Sequence, residues 1–314
     1  MTILTGAAPF EGSKFKDSEV QDTKTPWDLA KFIWSKPASD WPKWRELKQL
    51  DKPPANVPDK ALRATFVNHA TVLLQTEGLN ILTDPVWSDR VSPVSFAGPK
   101  RVHAPGIRFE DLPKINIVLV SHSHYDHLDL PTLQRLETAF QPTFFVGLKV
   151  SSILRPKMPQ AKIVEMDWDS AYDIGPQQKV HFLKAQHWSA RSPFDRNKTL
   201  WGAFAVELPG GNIYFAGDTG YGKHFKAAQA KLGSFRLALI PIGAYEPRWF
   251  MKYQHMNPAD AMQAFHDLNA TNAIGIHHGC FPLSYEKYLA PGEEIAKFKD
   301  VRFAIPEPGE AKFF

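Results

Sequence analysis

The residues best suited to chemistry stand in one run, Ser121-His122-Ser123-His124-Tyr125-Asp126-His127-Leu128-Asp129, directly after the apolar stretch 115–120. Residues two apart at the end of an extended strand point to the same side. His122 and His124 therefore share a face, and a turn into a following helix brings Asp126 and His127 beside them. Imidazole nitrogens and carboxylate oxygens are the donors that a borderline divalent ion such as zinc accepts, at about 2.0–2.2 Å. A solvated histidine cluster would not follow a buried strand so closely, so the run reads as a metal site. Tyr125, inside the run, is a candidate for substrate contact.

Further ligands belong at other strand ends, and three positions fit. His187 follows the stretch 179–185, Asp218 follows 212–216 in Ala-Gly-Asp-Thr-Gly, and His277 follows 273–276 in Ile-His-His-Gly. Gly217 lets the backbone turn sharply and bring Asp218 close to an ion. Alone, His187 reads equally as a core histidine and Asp218 as a turn residue; three strand ends with one donor chemistry read together. Asp84 and Asp129 are candidates to accept the second ring N–H of a metal-bound imidazole, or are turn and cap residues. His69, between two expected strands, is either a wall of the site or a hairpin residue. His255, just before a helix that starts at Pro258, either orients substrate and supplies a proton or helps to cap that helix. Cys280 lies three residues beyond His277, but nitrogen and oxygen donors already fill the site without it. His103, His181, His224 and His266 have no motif around them and read as structural or exposed.

These residues need strands to hold them. From residue 61 onward, short β-type runs alternate with Gly, Pro, Asn and Asp punctuation. Strands are expected at 62–67, 71–75, 79–83, 115–121, 143–146, 179–185, 204–208, 212–216, 237–240 and 273–276, with a long loop over 85–113. Helices are expected near 130–140, 223–232 and 258–268, the last opened by Asn257 as N-cap and Pro258 in the first turn. Strands and helices alternate loosely, which suggests layered sheets covered by helices.

Residues 1–60 differ from the rest. They hold Trp27, Trp34, Trp41 and Trp44 among prolines and evenly mixed charges. Thr25 and Pro26 open a short helix whose Trp27, Ala30, Ile33 and Trp34 recur at helical spacing. This arm either packs its tryptophans on the main domain, residues 61–314, or presents an aromatic surface to a lipid or a partner.

The 314 residues are 43% apolar and 22% charged, which excludes disorder. The formal charge of +4, from 37 basic and 33 acidic residues, does not argue for nucleic acid. No apolar run approaches the roughly 20 residues of a bilayer span. The first thirty residues lack a signal-peptide pattern, so a cytoplasmic protein is expected. A single cysteine, Cys280, excludes an internal disulfide and a cysteine-rich zinc module.

The run His122-Ser-His124-Tyr-Asp126-His127, with His187, Asp218 and His277, resembles the metallo-β-lactamase superfamily. Leu82-Thr83-Asp84-Pro85, Gly98-Pro99-Lys100-Arg101, Ala185-Gln186-His187-Trp188, Trp201-Gly202 and Arg248-Trp249-Phe250-Met251-Lys252-Tyr253-Gln254-His255 are similar to the family of phospholipases D that hydrolyse N-acylphosphatidylethanolamine. The likeness covers about residues 60 to 285. It implies an α/β fold, the αββα four-layer sandwich, with two divalent metal ions. His122, His124 and His187 would hold one ion, Asp126, His127 and His277 the other, and Asp218 would bridge them. The family pattern has one histidine where this chain has His277 and His278, and it matches the first. His255 sits in the matching Tyr-Gln-His segment, which favours an active-site role.

Two such ions about 3.5–4 Å apart make water acidic enough to attack at neutral pH and neutralise a phosphoryl oxygen. A phosphodiester would release an alcohol and a phosphomonoester, here an N-acylethanolamine and phosphatidate. Zinc is expected, although iron and manganese suit the same donors. The expected partner is a phospholipid or small phosphodiester, with a peripheral membrane contact. A lactonase or other ester hydrolase on the same fold is the alternative, since fold and metal do not select the substrate. A metal-stabilised binding protein without turnover would have an incomplete ligand set. An apolar groove formed by the 85–113 loop and the aromatic segment 245–253 would favour a lipid.

Overall fold

The computed structural model describes residues 8–17, 24–35, 37–38 and 40–314. Part of the expected arm, residues 1–7, 18–23, 36 and 39, lies outside the described residues. The chain opens with a hairpin of β1 (Phe10–Glu11) and β2 (Lys14–Phe15), then helix α1 (Pro26–Trp34). Strands β3 (Leu62–Asn68), β4 (Thr71–Thr76), β5 (Leu79–Thr83), β6 (Ile117–Val120), β7 (Thr143–Gly147) and β8 (Lys162–Met166) follow, with α2 (Leu130–Phe140) between β6 and β7 and α3 (Ser151–Leu154) before β8. Next come β9 (Ser170–Gly175), β10 (Gln178–Leu183), β11 (Ala203–Glu207), β12 (Asn212–Phe215), α4 (His224–Leu232) and β13 (Phe235–Pro241). The chain ends through α5 (Arg248–Met251), α6 (Pro258–Asp267), β14 (Ala270–Ile276), α7 (Ala290–Ala296), β15 (Phe303–Ala304) and β16 (Ala311–Phe313).

The strands form two sheets, in the orders β16-β3-β4-β5-β6-β7-β8 and β15-β14-β13-β12-β11-β10-β9. Each has an antiparallel part made by hairpins and a parallel part made by crossovers. β5 to β8 are parallel, and so are β12 to β15. Parallel neighbours need a connection long enough to return along the sheet, usually a helix, and α2, α4 and α6 lie in such crossovers.

Both faces of the first sheet are buried, which is why its strands read as continuous apolar runs. In β6, Ile117 and Leu119 enter the core shared with the second sheet, while Val118 and Val120 lie with Leu133 and Leu136 of α2. Phe145 of β7 crosses the gap to meet Tyr172 of β9 edge-on at 5.4 Å between centroids. On the second sheet, Phe225 of α4 and Phe265 of α6 join the same core. The layers are therefore helix, sheet, sheet, helix, and the expected αββα sandwich is borne out.

α6 starts where the sequence puts it: the Asn257 side chain accepts from Asp260 N, and Asp260 closes the capping box. β10 ends at Leu183 and not at residue 185, so His187 rides on the segment beyond it. β8 and β9 are edge strands of mixed polarity, and β15 and β16 are very short; none shows the apolar run that marks the others. The 85–113 loop has one short helical turn, Phe109–Asp111.

α1 is capped as expected, with Thr25 and Asp28 forming a capping box. It packs through Phe32, whose ring stacks against Phe250 at 4.5 Å and Tyr285 at 5.0 Å. Trp41 Nε1 donates to the Glu286 carbonyl at 3.1 Å. Trp27 and Trp34 do not pack: they are 82% and 91% exposed. No helix among the described residues is long and apolar enough to cross a membrane.

The topology fixes where side chains can meet. β10 and β12 each run antiparallel to β11, so they point the same way, and β12 to β14 are parallel. The segments after β10, β12 and β14 therefore leave one edge of the second sheet. Those after β5 and β6 leave one edge of the first.

Candidate metal centre

His122 and His124 follow β6, His187 follows β10, Asp218 follows β12 and His277 follows β14, and all of them converge. His124 Nδ1 lies 2.8 Å from His122 Nε2 and 3.3 Å from His187 Nε2, so three imidazoles aim at one point. Beside them is a second group. Asp126 Oδ2 lies 3.3 Å from both His127 Nε2 and His277 Nε2, and 3.0 Å from His69 Nε2. Each group could hold a metal ion.

Asp218 stands between the two groups. His255 closes a further side of the cluster, with Nδ1 3.9 Å from Asp218 Oδ2. Arg248 Nη1 donates to the His255 carbonyl at 2.9 Å, and its Nη2 pairs with Asp260 at 2.7 Å. This ties His255 to the α6 N-terminus. His69 occupies the β3–β4 hairpin with φ +43° and is also part of the site, its ring 4.1 Å from that of His277.

The outer supports divide. Asp84 contacts His127 Nδ1 at 2.5 Å, as a carboxylate accepting the outer N–H of an imidazole does. Asp129 does not serve a histidine. It accepts from Trp87 N, Ser88 N, Ser88 Oγ and Thr132 Oγ1, so it is the turn and cap residue that fastens the 85–113 loop to α2. Tyr125 turns outward, with Arg191 stacked on its ring at 3.8 Å. His278 lies against Phe66 outside the cluster, and Cys280 Sγ pairs with Asn68 Oδ1, its thiol pushed up to about 12 by burial. His103, His181, His224 and His266 are outside the cluster, with His181 paired to Glu207 at 2.7 Å.

Two supports had no signal in the residue pattern. Gln254 accepts at its carbonyl from His187 Nδ1 at 3.1 Å. Arg191 Nη1 donates to the carbonyls of Ser123 and Leu128, bracing the histidine run from outside. A backbone acceptor carries no side-chain signature, and Arg191 is distant in sequence from the run it braces.

The electrostatics suit a cation. Burial drives the imidazoles of His122 and His187 well below their ordinary range and His124 to about 4, which leaves neutral lone pairs. Burial opposes charge on Asp218 and Asp126, but the imidazoles of His127 and His277 overcome it and hold both carboxyls well below their usual range. Conversely, burial works against protons on His127 and His277, yet the facing carboxylates raise His127 well above the usual range and His277 to about 9. The donor chemistry fits a divalent ion. Asp218 Oδ1 and His255 Nδ1 are buried without a hydrogen-bond partner.

Comparisons with known proteins agree. Residues 79–278 match the family described as beta-lactamase superfamily domain. The chain is 41% identical over 255 residues to the N-acyl-phosphatidylethanolamine-hydrolyzing phospholipase D 1 of Caenorhabditis elegans, across 78% of this chain and 71% of that one. It is 36% identical over 249 residues to the mitochondrial N-acyl-phosphatidylethanolamine-hydrolyzing phospholipase D of Saccharomyces cerevisiae, across 76% and 53%. A metallo hydrolase structure from Ignicoccus hospitalis superposes with a TM-score of 0.62 at 20% identity, across 81% of this chain and 98% of that one. At that identity it speaks for the fold alone.

Fold, site and relatives together define a metal-dependent hydrolase of the metallo-β-lactamase fold. Within that superfamily the chain belongs to the family of N-acyl-phosphatidylethanolamine-hydrolysing phospholipases D.

The facing carboxylates favour protons on His127 and His277 in metal-free protein. A cation needs their lone pairs, so its uptake must release protons. Calorimetric titration with zinc in two buffers of different ionisation heat should give different apparent enthalpies, with protons passing to the buffer. Identical enthalpies in both buffers would contradict this charge arrangement.

Proposed function

We propose that this chain is a dinuclear zinc phosphodiesterase of phospholipase D type, which cleaves N-acylphosphatidylethanolamine-like lipids to an N-acylethanolamine and a phosphatidate. The observation that carries the reading is the position of one atom, Asp218 Oδ2. It lies 3.1 Å from both His127 Nε2 and His277 Nε2, and 3.9 and 3.8 Å from His122 Nε2 and His187 Nε2. A carboxylate facing both donor groups supports the reading of Asp218 as a bridging ligand. In this reading His122, His124 and His187 hold one ion, Asp126, His127 and His277 hold the other, and Asp218 joins them. Zinc is the ion proposed; iron and manganese accept the same donors. When bound, such ions supply Lewis acidity, which lowers the pKa of water and neutralises charge on a phosphoryl oxygen.

The protein's own groups do the rest. In this reading His255, which faces Asp218 from the side of α5 and α6, orients the phosphodiester as a neutral imidazole, since burial lowers it to about 3. A groove of about 510 Å³ runs along the long loop, where Val94, Leu128 and Leu130 share its wall with Asp89, Arg90 and Arg191, and the aromatic segment 245–253 does not line it. The relatives named for this reaction in Caenorhabditis elegans and yeast support the lipid class.

The protein is read as cytoplasmic and peripherally bound to membrane through α1. Trp27, Ile33 and Trp34 are exposed there, Trp249 is partly exposed beside them, and the Lys31 ammonium lies over the Trp249 ring at 4.8 Å. Tryptophan settles at the headgroup level of a bilayer, and lysine is attracted to anionic lipid. Lys24 also donates to the Gln254 side chain, whose backbone carbonyl holds His187, so this helix adjoins the wall of the centre.

Asp218→Ala should reduce release of N-acylethanolamine to background while circular dichroism stays native. Retained activity would remove the two-ion reading, and cleavage of lactones but not of the lipid by the unaltered protein would overturn the substrate. Trp27→Ser with Trp34→Ser should lower turnover of substrate in anionic vesicles several-fold and leave a soluble chromogenic phosphodiester unaffected. Equal effects on both substrates would show that these tryptophans do not serve a membrane.

A further inference from the structure

Asp84 does more than touch His127. It directly follows β5, Ser121 directly follows β6, and the two strands are parallel neighbours with Thr83 opposite Leu119. Asp84 N donates to the Leu119 carbonyl at 2.9 Å, which sets the two strand ends side by side. Asp84 Oδ1 accepts from Ser121 N at 2.7 Å, and its Oδ2 accepts from Ser121 Oγ at 2.6 Å and faces His127 Nδ1 at 2.5 Å. All of this is buried.

The hydroxyl of Ser121 has one proton. Since Asp84 takes it, the oxygen can only accept from its other neighbour, His122 Nδ1, at 2.9 Å. His122 and His127 are thereby both fixed with the proton on Nδ1, and both present Nε2 toward Asp218. Ser121 is itself confined: a Cβ on Gly217 would come within 2.6 Å of Ser121 Cβ and 2.9 Å of its Oγ. Gly217 has φ +59° and immediately precedes Asp218. The position before Asp218 therefore has no room for a side chain, which would displace the hydroxyl that orients an imidazole.

We propose that Asp84, directly and through Ser121, is a positioning residue that sets the ring tautomer of one histidine in each donor group, so that a single buried carboxylate supports both ions. This rests on the two-ion reading given above. It predicts an asymmetry. Ser121→Ala releases only His122 and leaves Asp84 on His127, whereas Asp84→Asn disturbs both rings. Loss of such an outer partner weakens metal binding by roughly 10–100-fold.

The test uses the zinc-loaded full chain, unaltered and as the Ser121→Ala and Asp84→Asn variants. Retained zinc is counted by mass spectrometry after dialysis against graded chelator, and ¹⁵N–¹H spectra of the histidine rings report tautomers and identify the depleted group. The unaltered protein should keep two ions, with His122 and His127 both carrying the proton on Nδ1. Ser121→Ala should lose affinity in the His122, His124 and His187 group alone, and Asp84→Asn in both. Unchanged affinities in Ser121→Ala, equal weakening of both ions by it, or a proton on Nε2 of either ring in the unaltered protein would overturn the proposal. If Asp84→Asn does not fold, Ser121→Ala and the unaltered tautomers still decide. Fewer than two ions in the unaltered protein would overturn the two-ion reading, and the same spectra would still judge the clasp by its tautomers.

Discussion

Everything at the site follows from burying Asp126 and Asp218 among imidazoles. A buried carboxylate is costly unless positive charge or hydrogen bonds face it. Here His127 and His277 supply the charge, and each reaches both carboxylates. The remaining histidines then stay neutral, because burial and the neighbouring cationic rings disfavour further protons. The same arrangement that allows the pocket to fold also makes it a cation site: a divalent ion offers the carboxylates the charge that the two protons otherwise provide.

The fold is the device that brings these charges together at low entropic cost. Donors come from segments after β6, β10, β12 and β14, far apart in the chain, yet parallel pairing and matched strand directions deliver them to facing sheet edges. Rigid strands fix the Cα positions, and hydrogen bonds to the outer ring nitrogens fix the rings. The 85–113 loop and the arm add what the sandwich lacks: a groove along the loop and, on α1, an exposed aromatic surface.

Much of this was legible in the sequence. β6 announces itself because both of its faces are buried, and the histidine run after it can only be a strand-end cluster. α6 is legible from Asn257 and Pro258. By contrast, β8 and β9 are sheet edges, where one side of the ladder is unpaired and the apolar signal is weak. The separate fates of Asp84 and Asp129 were not legible either. Both are aspartates near the site, and only the pairing of β5 with β6 places the first against His127, while the second turns to the loop backbone. The helical spacing of Trp27 and Trp34 marked an amphipathic helix, but spacing does not say whether a partner covers the apolar face.

The central claim is that Asp218 stands between two metal ions. Anomalous diffraction from zinc-soaked crystals, recorded on both sides of the zinc absorption edge, tests it directly. The account predicts two peaks flanking the Asp218 carboxylate, one against His122, His124 and His187 and one against Asp126, His127 and His277. A single peak, or zinc bound only away from Asp218, would contradict it.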